Sequence, residues 1–300
     1  MGTPLVALWA TIAALAAAVA ALAVRQIGSR RALRARDVRW CQAHPVGPDG
    51  ILDGAAPIAL DAAGSRACLL LHGFGDTPQS LSRLAHALHA AGWTVRAPLL
   101  QGHGRTLSAF NDTDAEDWDG TARQAYAALR GTHRTVALVG LSMGGALATR
   151  LSVDGQAPAA LVLLAPYLQV SRRARLLTAV WPLWALVRPW VPGDSDASIR
   201  DPEARRASLG YGGATPRLLR ELRRVVDGAT AASARVTAPT LVIFSKHDYR
   251  IPIEAARAAF DRLGAPVKEV HWVERSGHVI TADYDADAVG ERVVEWLEGR

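Results

Sequence analysis

The stretch Val136-Ala137-Leu138-Val139-Gly140-Leu141-Ser142-Met143-Gly144-Gly145 governs how the rest of the chain is read. A short apolar, β-prone run leads into Gly-x-Ser-x-Gly, and a small-residue run over 146–151 continues with helical character. A serine at the apex of such a strand-to-helix turn takes a strained backbone conformation with its hydroxyl exposed. Glycines two residues to either side remove side chains that would collide across the turn. The helix begins directly behind the serine, so its first amides face any negative charge that develops there. A Gly-rich turn that merely contains a serine is the plainer alternative, and the strand before and helix after speak against it. Ser142 is the candidate nucleophile.

A serine hydroxyl is a weak nucleophile and needs a base, an orienting acid and an oxyanion site. Upstream, Ala67-Cys68-Leu69-Leu70-Leu71-His72-Gly73-Phe74-Gly75 reads as a buried strand ending in a Gly-rich loop. Glycines there let backbone N–H groups point inward, which makes the amides of Phe74 and Met143 the expected oxyanion pair. Downstream, the apolar run over 239–244 ends at Ser245-Lys246-His247-Asp248, and the run over 267–273 ends at Glu274-Arg275-Ser276-Gly277-His278. Asp248 and His278 thus both fall just past strand ends, where the loops of a parallel sheet collect at its carboxyl edge. Asp248 is expected to orient the imidazole, and His278 to take the serine proton and return it. Of the other histidines, His44, His86, His89 and His133 sit in polar or amphipathic surroundings. His72 is read as support for its own loop, His103 as a turn marker and His271 as part of a strand. His247 adjoins the acid in sequence and cannot easily reach the serine. The rival acid, Asp283, reads as the N-terminal charge of the last helix.

Four segments together resemble one family: Leu69-Leu70-Leu71-His72-Gly73-Phe74-Gly75, Pro98-Leu99-Leu100-Gln101-Gly102-His103-Gly104, Gly140-Leu141-Ser142-Met143-Gly144-Gly145 and Ser276-Gly277-His278-Val279-Ile280. They look like the bacterial carboxylesterase and monoacylglycerol-lipase-like branch of the α/β-hydrolases, whose triad runs nucleophile, acid, histidine along the chain. The resemblance covers the chain from about residue 67 onward. It implies an α/β-hydrolase fold, a mostly parallel central sheet with helices on both faces. It also implies acyl-ester substrates and a catalytic triad of Ser142, Asp248 and His278. The pair Gly75-Asp76 departs from the family pattern, which favours a small neutral residue after Phe74, and bears on substrate detail rather than on catalysis.

Helical patterns at 79–91, 115–130, 145–153, 254–263 and 283–297 alternate with the strands, the signature of a sheet covered on both faces. Residues 45–66 are the least legible. Between the strand ending at Ala165 and the one beginning near Pro239 lies an excursion far longer than a usual βα connection of about 2–6 residues. It is expected to be a helical cap insertion over about 166–237. The cap's opening stretch over 176–187 is uncharged and carries Trp181 and Trp184. It is too short to span a bilayer, so those rings either pack the cap or line an acyl path as substrate-binding residues.

Residues 5–24 carry no charge and one polar side chain, Thr11, over a length that spans a hydrocarbon core as a helix. Nothing before them is charged except the terminal amine, whereas a secretory signal usually opens with positive residues. Arg25, Arg30, Arg31, Arg34 and Arg36 follow instead. The expected organisation is therefore a transmembrane anchor over 1–24, a basic juxtamembrane segment over 25–39 and the hydrolase domain over 40–300. The arginines place that domain on the cytoplasmic side of the inner membrane; a cleaved signal and a secreted or periplasmic product is the alternative. The formal charge of +6 is concentrated in the juxtamembrane segment and the cap, as suits contact with anionic lipid headgroups. No module for nucleic acid accompanies it. Of the two cysteines, Cys68 falls in a central strand and reads as a buried hydrophobe. No metal or phosphate motif is present, so no cofactor is expected. Three functions are open at this point: a serine esterase acting through an acyl-enzyme on Ser142, an acyltransferase, thioesterase or amidase sharing its triad, and a membrane-tethered scaffold without chemistry.

Overall fold

Six of the seven strands in the main sheet run parallel, because each is joined to the next by a helical crossover rather than a hairpin. The computed structural model describes residues 3–186, 188–193 and 195–299. Met1 and Gly2 of the expected anchor, Val187 and Asp194 of the expected cap, and Arg300 lie outside the described residues.

The chain opens with helix α1 (Thr3–Ala43). The edge strand β1 (Ile58–Leu60) follows in the region the sequence left least legible, then β2 (Arg66–Leu71), α2 (Ser82–Ala90) and β3 (Thr94–Ala97). Next come α3 (Leu107–Asn111), α4 (Ala115–Thr132), β4 (Thr135–Leu141), α5 (Met143–Leu151) and β5 (Leu161–Leu164). The insertion holds α6 (Arg172–Ala179), α7 (Trp181–Ala185), the two-residue strands β6 (Val191–Pro192) and β7 (Gly213–Ala214), α8 (Ser195–Ser198), α9 (Pro202–Ala207) and α10 (Pro216–Ala232). The chain then completes the sheet with β8 (Thr240–Ser245), α11 (Ile253–Arg262), β9 (Lys268–Val273) and α12 (Ala286–Glu298).

The strand order is β1-β3-β2-β4-β5-β8-β9, with β1 antiparallel to β3. Successive residues of a strand face opposite sides, and here both sides are apolar. Leu69, Leu71, Val136 and Leu138 meet α4 and α5, while Cys68, Leu70, Ala137 and Val139 meet α2 and α12. Burial of β2, β4, β5 and β8 on both faces explains why these runs read as continuous hydrophobic stretches rather than alternating ones.

Two boundaries differ from the sequence reading. Helix α5 starts at Met143, directly behind Ser142 as the turn requires and two residues before the 145–153 pattern. The last helix starts at Ala286 rather than at Asp283. Asp283 is buried, and its carboxylate accepts from the amides of Arg200, Asp201, Gly277 and Tyr284 at 2.7–2.9 Å. It ties the cap to the loop before the last helix, so its neighbours are backbone amides from three segments rather than a helix end.

Helix α1 shows no break at residue 24 or 39. Over its first part Leu8, Trp9, Ile12, Leu15, Val19, Leu22, Val24 and Ile27 are exposed. It is the one described helix long and apolar enough to cross a membrane. Its last turns instead lie on the body, where Leu33 and Trp40 pack against the main core.

Candidate active site

Ser142 sits at φ 55°, ψ −114°, a conformation that non-glycine residues seldom adopt. Close backbone packing imposes it. A Cβ on Gly144 would stand 2.0 Å from the Leu71 carbonyl oxygen, and one on Gly140 would stand 2.3 Å from that of Gly144. The Ser142 amide donates to the Leu164 carbonyl at 2.9 Å, and its own carbonyl accepts from the Tyr167 amide at 3.1 Å. The nucleophile's backbone is therefore pinned by β5 and the start of the cap while its side chain is left clear.

Ser142 meets two residues more than a hundred positions away in sequence at the sheet edge. Ser142 Oγ lies 2.8 Å from His278 Nε2, and His278 Nδ1 lies 2.7 Å from Asp248 Oδ2. All of this is sunk in the fold, with His278 and Asp248 only 6% and 7% exposed. The second carboxylate oxygen of Asp248 accepts from the amides of Arg250 at 2.8 Å and Ile251 at 3.0 Å, which fixes the group against rotation. A carboxylate at Nδ1 selects the tautomer with its proton there, so Nε2 is left as the acceptor for the serine hydroxyl.

The amides of Phe74 and Met143, the expected oxyanion pair, come from the loop after β2 and from the first turn of α5. Met143 is the first residue of α5, so its amide has no carbonyl partner within the helix. No acceptor among the described residues takes the Phe74 amide. The loop that carries Phe74 is rigid: His72 is fully buried, donates from Nδ1 to the Gly73 carbonyl at 2.9 Å, and accepts the Leu100 amide at Nε2 at 3.1 Å. Burial pushes the His72 pKa down to about 4, so the ring serves as a neutral strut. Gly75 takes φ 67° and lets the loop turn away from the substrate side.

Ser142, His278 and Phe74 line a cavity of about 420 Å³ whose wall also holds Tyr167, Val191, Ile199, Leu219, Leu222 and Val279. Its wall is mainly apolar, the ordinary chemistry of a site for an acyl chain. Sequence reasoning missed Leu219 and Leu222, which α10 carries back over the sheet in a helix whose charge pattern hides its inward face. Trp181 and Trp184 do not line this cavity. Both lie on α7, where the Trp184 indole donates to the Leu177 carbonyl at 2.6 Å and holds α7 to α6. Asp76, flagged by its departure from the family pattern, does line it. Its carboxyl accepts from the Thr77 amide at 2.8 Å and the Ser80 hydroxyl at 2.6 Å, and burial raises its pKa to about 6. Among the described residues no cluster of side chains is arranged to hold a metal ion.

The arrangement can move a proton from Ser142 to a leaving group by way of His278, while two amides receive a developing oxyanion. The chain is similar to known lipases and esterases. The family model described as serine aminopeptidase, S33, matches residues 63–285. A thermostable monoacylglycerol lipase of Bacillus sp. (strain H-257) is 29% identical over 247 residues, covering 82% of this chain and 96% of the relative. A carboxylesterase of Bacillus subtilis is 28% identical, covering 78% and 93%. A solved structure reported for the metagenome-derived lipolytic enzymes LipS and LipT superposes with a TM-score of 0.76 at 27% identity, covering 83% of this chain and all of that one.

Proposed function

The chain belongs to the serine aminopeptidase S33 family of hydrolases, within the α/β-hydrolase superfamily, and on that footing we propose that it is a serine esterase acting on monoacylglycerol-like or short- to medium-chain acyl esters. One observation carries the reading: a continuous hydrogen-bonded line runs from Asp248 through His278 to Ser142, and the last two face a largely apolar cavity. The Ser142 hydroxyl gives its proton to His278 Nε2 as Oγ attacks the ester carbonyl carbon. The carbonyl oxygen takes the negative charge and receives the amides of Phe74 and Met143. Collapse expels the alcohol, which leaves with the proton held by His278, and the acyl group stays on Ser142. Water then attacks the acyl-enzyme, giving its proton to the same nitrogen, and the acid departs as Ser142 is restored. Asp248 keeps the imidazole oriented and stabilises it while it carries the extra proton.

The named relatives cleave esters, whereas the family description names a peptidase, and both chemistries use the same serine unit. The apolar wall supports the ester reading. A panel of p-nitrophenyl esters, monoacylglycerols and aminoacyl anilides separates the two, with fluorophosphonate labelling of Ser142 as the readout of the nucleophile. Ester turnover that is lost in Ser142→Ala is the expected result. Turnover of the anilides alone, or equal turnover by the variant, would reject it.

We further propose that the exposed apolar part of α1 anchors the chain in the inner membrane as a single span. The arginines that follow it, Arg25 to Arg36, support a cytoplasmic catalytic domain. The expected behaviour is retention in the membrane after carbonate extraction, with the N-terminal residues intact. An alkaline phosphatase fused at the C-terminus should stay inactive. An N-terminus beginning near Val24 would instead mean a cleaved signal.

A further inference from the structure

Leu107–Asn111, helix α3, is too short to be stable on its own, and its first amides need outside partners. Thr106 supplies one, its hydroxyl accepting from the Ala109 amide at 3.1 Å. The others go to a carboxylate seventy residues upstream, on the membrane-proximal helix. Asp37 accepts from the Leu107 amide at 2.7 Å, the Ser108 amide at 3.3 Å and the Ser108 hydroxyl at 2.5 Å. Asp37 is thus an N-cap delivered in trans, from α1 to α3.

What α3 holds in turn is Phe110, fully buried, with its ring 5.3 Å from that of Phe74 and stacked at 4.9 Å on Tyr211. Tyr211 reaches the same loop by its backbone: its amide donates to the Gly75 carbonyl at 3.0 Å. Its hydroxyl donates to the Arg105 carbonyl at 2.9 Å, just ahead of α3. One turn beyond Asp37, the Trp40 ring packs against Tyr211 with centroids 5.2 Å apart. Two routes therefore run from α1 to the loop carrying Phe74, one through Asp37 and Phe110, the other through Trp40 and Tyr211. Leu33, Asp37 and Trp40 recur at three- and four-residue spacing, the spacing of one helix face. Arg36 adds a third contact, its guanidinium 4.7 Å above the Trp190 ring next to the cavity-lining residues Val191–Pro192.

We propose that residues 33–43 of α1 are part of the catalytic body, with Asp37 and Trp40 as positioning residues that hold the Phe74 amide in place for the oxyanion. The role of that amide rests on the esterase reading above. The anchor and the active site then share one helix, so the orientation of the cavity relative to the membrane-proximal end is fixed rather than set by a flexible linker.

Asp37→Ala and Trp40→Ala, each made in the full chain and assayed in detergent micelles on p-nitrophenyl acetate, test this. Misplacing an oxyanion donor by a fraction of an ångström should lower kcat by about 10- to 100-fold. KM is expected to stay within about twofold, because binding of the small ester does not use the amide. Trp40→Phe, which keeps a ring against Tyr211, should recover most of kcat. Hydrogen exchange of the segment 69–81 supplies a readout that needs no substrate: it should quicken in both alanine variants relative to the rest of the sheet. A kcat per fluorophosphonate-titrated site equal to that of the parent would overturn the proposal. So would unaltered exchange over 69–81, whether or not the chain proves to cleave esters. Should Trp40→Ala give no folded protein, Asp37→Asn decides, with a several-fold loss of kcat expected and an unchanged value counting against the proposal.

Discussion

At the carboxyl edge of the sheet backbone packs directly on backbone, whereas in the first half of the cap side chains meet solvent or one another. Gly140, Gly144 and Gly145 leave no space for even one added carbon, and the nearest atoms are main-chain or proline atoms that cannot move aside. Helices α6 and α7 bury only Thr178 between them, and Leu176 and Leu183 are 71% and 69% exposed. Helix α6 is fastened to α10 by the ion pair Arg175–Asp227 at 2.8 Å, a contact that contributes little in solvent. The edge has one solution for its residues and the cap has many. The candidate nucleophile is thus placed where displacement is sterically barred, whereas α6 and α7 contribute no residue to the cavity wall.

The largest effect expected lies at the edge. Asp248→Asn should lower kcat by roughly 10⁴-fold, because an amide at Nδ1 favours the wrong tautomer. Asp283→Asn, which loosens the same loop without touching the ring, should cost far less; a reversed order would mean that the acid has been misassigned. Next in size is Gly144→Ala, expected to destabilise the fold by more than about 4 kcal/mol, since its Cβ would overlap the Leu71 carbonyl. Leu183→Ala in the cap should stay within about 0.5 kcal/mol in urea unfolding. Equal costs for the two would erase the contrast.

A smaller effect sharpens the comparison within the cap itself. Leu219 and Leu222 line the cavity and Trp181 and Trp184 do not. Alanine at the two leucines should therefore flatten the dependence of kcat/KM on acyl length, which is worth up to about 0.8 kcal/mol per methylene. Alanine at the two tryptophans should change all chain lengths alike. A chain-length effect from the tryptophans would return them to the acyl path.

Smallest is the effect of pH through Asp76. Its pKa in the fold is about 6 against an ordinary value of 3.8, so the fold favours the protonated form. The cost of ionising it is absent below the unfolded value, grows as pH rises between the two and is complete above about 6. Asp76→Asn should accordingly raise the melting temperature at pH 8 by a few degrees at most, because the carboxyl is open to the cavity on one side. At pH 4 the two proteins should melt together.

The site was legible in the sequence wherever a steric rule forces residue identity. Gly-x-Ser-x-Gly marks itself because a Cβ at Gly140 or Gly144 would meet backbone, Asp248 follows a strand buried on both faces, and His278 stands on the Gly-bearing loop after the last strand. Contacts between distant segments left no local trace. Asp283 resembles any acid near a helix start, and Asp37 looks like one charge among arginines. The inward face of α10 is masked by Arg217, Arg220, Arg223 and Arg224. Strand β1, three residues long at the sheet edge, is too short to carry a period.

The carboxylate of Asp283 has one further meaning. Its two oxygens take four amides, from Arg200, Asp201, Gly277 and Tyr284, which uses all the acceptor sites a carboxylate has. Asp285 beside it takes the amides of Arg275 and Ser276. Two segments some eighty positions apart are thereby cross-linked at the base of the His278 loop, as a disulfide would join them. Cys41 and Cys68 take no part in any such bond. A staple made of oxygen and backbone hydrogen holds at any thiol potential, so the loop that presents the imidazole stays fastened in a reducing compartment and an oxidising one alike.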